Sequence, residues 1–181
     1  TAGRGGMIKT GEYTNAIQNA RIRRTRFFYS DRQGFLKQLI KEIASHESKC
    51  KAEGSTPAIR LNGTSDIAWE TVYPELFAMF PNVVFYDYTK FPINKRVNLP
   101  KNYSLTFSRS EANHDQVLEN LRAGRNVAIV FSTKKSEELP SQYLGYEAIN
   151  GDIHDMRFLD PKGVIVGLKA KGDARKDTSG F

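Results

Sequence analysis

The stretch Arg60-Leu61-Asn62-Gly63-Thr64-Ser65-Asp66 sets a guanidinium, a carboxamide, hydroxyls and a carboxylate within seven residues. Alternation along a strand puts Arg60 and Asn62 on one face, and Gly63 and Thr64 can turn backbone N–H groups toward an oxyanion. Asp66 suits a ligand hydroxyl, a cation or the cap of a following helix. Tyr86-Asp87-Tyr88-Thr89-Lys90 adds a second carboxylate, and Thr106-Phe107-Ser108-Arg109-Ser110-Glu111 sets hydroxyls beside a guanidinium. That last pairing recognises phosphate or carboxylate, because arginine offers a bidentate fork and each hydroxyl adds a donor. Lys134, Lys169 and Lys171 contribute point positive charges. Asp66 and Asp87 are therefore the candidates for acid–base work or for holding a cation. Arg60, Asn62, Thr64, Thr106, Ser108, Arg109, Lys134, Lys169 and Lys171 are the candidates for binding an anionic ligand. The structural alternative for Asp87 is an ion pair with Arg60 or Arg109 across neighbouring strands.

Each of these blocks closes a run that opens apolar and reads as a strand: Ala58 to Asp66, Val83 to Lys90, Tyr103 to Glu111, Val127 to Lys135 and Val164 to Lys171. Most separations suit crossover helices, and runs as continuously apolar as 127–131 suit strands covered on both faces. The expectation is an α/β fold with a mostly parallel sheet of at least five strands, either an open sheet or a partial (β/α) barrel. Parallel strands would bring every polar block to one sheet edge, where such folds place their sites. Ahead of the strands, residues 10–29 read as a basic helix with Tyr13, Ile17, Ala20 and Phe27 on its apolar face. A second helix is capped by Asp31 and stopped by Gly54. Residues 136–163 break the pattern and read as a hairpin-like insertion or an altered βα unit, with strands at Tyr143–Ile149 and Met156–Leu159 around an acidic turn. The length suits a single domain over residues 1–181.

The chain carries a net charge of +7 with a pI near 9.5. Clustered lysine and arginine release counterions on meeting phosphates, so the expected partner is an anionic small molecule or a nucleic acid. Arg21, Arg23, Arg24 and Arg26 concentrate this charge in the first helix. They offer a second reading, a non-catalytic nucleic-acid-binding accessory protein using exposed aromatics such as Phe28 and Tyr29. No run approaches the length of a membrane span, which points to a cytoplasmic protein. The single cysteine, Cys50, reads as a packing residue. Beside His154 no second histidine or cysteine stands at metal-ligand spacing, no zinc-ligand pattern occurs, and neither the phosphate-loop nor the dinucleotide fingerprint is present, so the residues support no cofactor and no metal. The chain opens on Thr1 and a glycine-rich Gly3-Arg4-Gly5-Gly6, as expected of a piece of a longer protein.

Thr1-Ala2-Gly3-Arg4-Gly5, Arg60 to Glu70, Phe85 to Lys90, Leu105 to Ser110 and Phe158-Leu159-Asp160-Pro161-Lys162-Gly163 resemble an uncharacterised bacteriophage and prophage family, a domain of unknown function, over essentially the whole chain. The resemblance implies a phage origin, a host-cell cytoplasmic setting and a partial βα barrel distantly similar to radical S-adenosylmethionine proteins. It further implies a cysteine-rich segment upstream, whose cysteines would carry any iron–sulfur or zinc site. It brings no reaction with it.

Overall fold

The structure is a computed structural model, and it describes residues 16–176. The glycine-rich start and the beginning of the expected first helix, residues 10–15, lie outside the described residues. The chain forms two compact units, residues 1–57 and 58–181.

Among its described residues the first unit holds two helices, α1 (Ala16–Ser30) and α2 (Arg32–Ala52). Asp31 separates them and caps the second, its carboxylate accepting the Gly34 N–H at 2.8 Å. Phe27 and Phe28 of α1 both meet Phe35 of α2 edge to face, at 5.6 and 5.2 Å between ring centroids. Phe28 is the buried member of this cluster and Phe27 stands 36% exposed, so the expected assignments of the two residues are exchanged. Gly54 ends the helical segment with a φ of +67°, a left-handed turn that glycine adopts without a steric penalty.

The second unit is built on strands β1 (Ala58–Ile59), β2 (Val84–Thr89), β3 (Tyr103–Ser108), β4 (Val127–Phe131), β5 (Gln142–Tyr143), β6 (Tyr146–Asn150) and β7 (Ile165–Lys169). Their order is β1-β2-β3-β4-β7-β6-β5. All five expected strand runs form, and they lie side by side in parallel. The sheet is open, with β1 at one border and β5 at the other, so the partial-barrel alternative is set aside. β6 adds a further parallel strand, and β5 pairs with it antiparallel through a tight turn at Leu144-Gly145, both at positive φ. Residues 157–159 form a 3-10 turn rather than the expected strand, because the hairpin closes entirely within 142–150.

Three short helices, α3 (Trp69–Val72), α4 (Glu75–Met79) and α5 (His114–Arg122), cover one face. The strands advance in order from β1 to β4, and right-handed crossovers carry each of these connections to the same side. Phe77 of α4 packs on Phe85 at 5.0 Å between centroids, and Val117 and Leu121 of α5 pack with Phe107, Val127, Ile129 and Ile165. β6 lies beyond β7, so the return from β6 to β7 runs the opposite way across the sheet. The same handedness places that connection, residues 151–164, on the other face, where Phe158 meets Tyr86 at 5.4 Å.

Candidate functional site

The strand ends gather the candidate residues, and most of them are held by partners within the protein. β1 stops at Ile59, after which the chain leaves the ladder and loops around a buried carboxylate. Asp87, 1% exposed, accepts the Asn62 N–H at 2.7 Å, the Asn62 Nδ2 at 3.1 Å and the Tyr103 hydroxyl at 2.8 Å. Burial pushes the Asp87 carboxyl up to about 6, against the pull of these three donors and of the Arg60 charge. Asn62 Oδ1 accepts Ser65 Oγ, the Ile67 N–H and Trp69 Nε1 in turn, so one carboxamide fixes the whole loop. The expected ion pair of Asp87 with Arg60 or Arg109 does not form. Nor do Arg60 and Asn62 share a face, because strand alternation ends where the ladder does.

Asp66 accepts the Lys90 N–H at 2.7 Å and lies 3.8 Å from Arg96. Arg96 is itself buried in a bidentate pair with Glu70, through Nε to Oε1 and Nη2 to Oε2, with a further bond to Thr89. Burial disfavours the charged guanidinium, but the Glu70 carboxylate outweighs it and raises the Arg96 pKa above its ordinary value. Among the basic candidates, Lys169 Nζ donates to the carbonyls of Lys135 and Glu137, and Lys171 Nζ meets Asp152 at 2.6 Å. Burial works against the Asp152 charge, but the Lys171 and Lys169 donors prevail and hold its carboxyl below the ordinary range. Lys134 extends into solvent 3.7 Å from Glu137, and Thr64 is exposed on its loop. Arg109 donates from Nη1 to the Tyr143 hydroxyl at 3.1 Å, while its buried Nε has no partner.

A second polar surface lies on the sheet face opposite the helices. Tyr86 and Tyr88 of β2 pair in register with Ser104 and Thr106 of β3, and Ser108 continues the row, so hydroxyls pave this face. Arg60 stacks over the Tyr88 ring at 4.6 Å and meets Asp155 at 2.9 Å, and Tyr88 donates to the other oxygen of Asp155 at 3.0 Å. Burial raises the Tyr88 pKa, and the Asp155 charge adds to the effect. Residues 151–160 thus strap the face. Arg157 anchors the strap with a side chain 1% exposed, 3.3 Å from Asp160 and donating to the His154 carbonyl, with its Nη1 unpartnered. Sequence reasoning missed Asp155 and Arg157 as members of a polar cluster, since it placed Asp155 in an acidic turn and Arg157 in a strand that forms instead as a 3-10 turn. The period-two spacing of Tyr86/Tyr88 and Ser104/Thr106/Ser108 was the available signal for the face itself.

Charge separates the two units. Residues 1–57 hold eleven Lys and Arg against five Asp and Glu, a net +6, while residues 58–181 hold sixteen against fifteen, a net +1. Within α1, Arg23, Arg24 and Arg26 are exposed and have no ion-pair partner among the described residues, whereas Arg21 is partly buried and engaged. No acidic residue occurs from 13 to 30, and Tyr29 is 74% exposed.

A depression of about 330 Å3 lies near the opposite edge of the sheet, lined by Pro74, Phe77, Ala78, Pro81, Pro100, Lys101 and Asn102, away from all the candidates. Among the described residues no three of His, Cys, Asp and Glu cluster to hold a metal ion, and no helix is long and apolar enough to cross a membrane. A family model described as gene product 88 matches residues 8–181, and the chain belongs to that uncharacterised phage-type family. No curated protein and no solved structure matches the chain. The likeness to radical S-adenosylmethionine proteins is not supported.

Proposed function

We propose that this member of the gene product 88 family binds nucleic acid through α1, as a non-catalytic accessory protein. The observation that carries the reading is the segregation of charge, a net +6 over residues 1–57 beside +1 over the larger unit. Arg23, Arg24 and Arg26 offer guanidinium groups that no carboxylate of the described residues neutralises. Each such group that meets a phosphate releases a condensed counterion, which is the main source of affinity for a sequence-independent binder. A ligand pocket at the strand ends has less support, since Asp66, Asp87, Lys169 and Lys171 already serve protein partners.

The test is a salt titration of binding to labelled DNA and RNA, followed by fluorescence anisotropy. Replacing Arg23, Arg24 and Arg26 together by Gln should flatten the slope of log K against log salt by about 2 to 3 on duplex DNA, close to 0.9 for each lost contact. An unchanged slope, or no binding of the parent protein at low salt, overturns the proposal.

A further inference from the structure

We infer that the preferred nucleic acid at α1 is single-stranded, with Tyr29 as the platform on which a base stacks. The inference rests on the nucleic-acid reading above and adds the class of ligand. Arg23, Arg26 and Tyr29 follow one another at three-residue steps, which places them on successive turns about 4.5 Å apart along the helix axis. Phe27 lies four residues from Arg23, so a second aromatic neighbours that arginine.

The rings are positioned by the helical pair. Buried Phe28 meets Tyr29 edge to face at 5.2 Å and Phe35 at the same distance, and the Arg32 guanidinium covers the Phe28 ring at 3.9 Å. Phe28 is thereby fixed on both sides and steadies the neighbouring tyrosine. Tyr29 itself keeps 74% of its surface in water, a large apolar area to leave exposed beside a row of cations.

Exposed aromatics among phosphate-binding cations discriminate between nucleic-acid forms. In a duplex the base faces are occupied by neighbouring bases, so arginines on a helix surface gain phosphate contacts while Tyr29 gains little. A single strand presents free π-faces to the ring at the same time as its backbone passes the arginines. Two contributions then act together, a salt-dependent one from Arg23, Arg24 and Arg26 and a salt-insensitive one from Tyr29.

The experiment compares an oligothymidine with a duplex of equal length, by anisotropy at several salt concentrations, for the parent protein and for Tyr29→Ala and Tyr29→Phe. The parent should bind the single strand more tightly. Tyr29→Ala should lower single-strand affinity about 5- to 100-fold, leaving duplex affinity and the salt slope as they were, while Tyr29→Phe retains the preference. Thermal unfolding of the variants should match the parent, because the side chain is exposed. If Tyr29→Ala binds both forms as the parent does, or the parent prefers the duplex, the single-strand inference falls and the phosphate reading stands. If the parent binds neither form at low salt, the nucleic-acid reading fails and takes this inference with it.

Discussion

Replacing Asp87 with asparagine should change how the stability of the sheet unit depends on pH, and the size of the change follows from the site. The carboxyl is 1% exposed, and its folded-state value is pushed from 3.8 up to about 6 by burial, although three donors point at it. The folded protein therefore holds this proton more tightly than the unfolded chain. Its stabilising contribution is complete below pH 3.8 and is lost as pH rises through about 6. The interval corresponds to about 3 kcal/mol. Asparagine does not titrate, so subtracting the variant's stability from the parent's isolates this group from every other carboxylate. The difference should move by about 3 kcal/mol in the parent's favour between pH 7.5 and pH 3.5. Urea unfolding followed by Trp69 fluorescence measures it, since this lone tryptophan is 3% exposed and donates to Asn62 within the same network. A difference that stays constant across this range would refute the reasoning, because it would mean that the three donors fully offset the burial of charge.

Removing the Glu70 carboxylate alone, as Glu70→Leu, should destabilise the protein by about 3 to 5 kcal/mol in urea unfolding, because Arg96 is left charged and buried. The double replacement Glu70→Leu/Arg96→Met should recover most of that loss. Lys171→Met should raise the Asp152 carboxyl toward its ordinary value in a carbon-detected NMR titration. The lowered folded-state value contributes stability that is present above the unfolded pKa and is lost as pH falls through the folded value, so the variant should lose less stability on acidification than the parent.

The strands were legible because a buried parallel strand needs a continuous apolar run, and all five runs pair side by side. The helical pair was legible for similar reasons, in the Asp31 cap and the Gly54 stop. Phe27 and Phe28 were exchanged, since adjacent aromatics differ by 100° around a helix; both meet Phe35, and it is the cover of Arg32 and Tyr29 over Phe28 that sets the two apart. The hairpin-like character of residues 136–163 was legible but the place of its turn was not, because that turn uses Leu144 at positive φ, where the usual residues are Asn, Asp or Gly.

Sequence alone determined which residues are chemically capable: the carboxylates at 66 and 87, the arginines at 60 and 109, and the four arginines within residues 21–26. Composition and local periodicity are properties of neighbours in the chain, and a linear reading reaches them. Only the tertiary structure decided what those groups are able to do. Asp87 meets Asn62 from 25 residues away, Arg60 meets Asp155 from 95, and Arg96 meets Glu70 from 26. A polar group acts on a ligand only when folding leaves its bonding capacity unfilled, and that is settled by partners the chain brings in from a distance. By that measure the long-range contacts of the sheet occupy its carboxylates, while Arg23, Arg24 and Arg26 stay open to solvent.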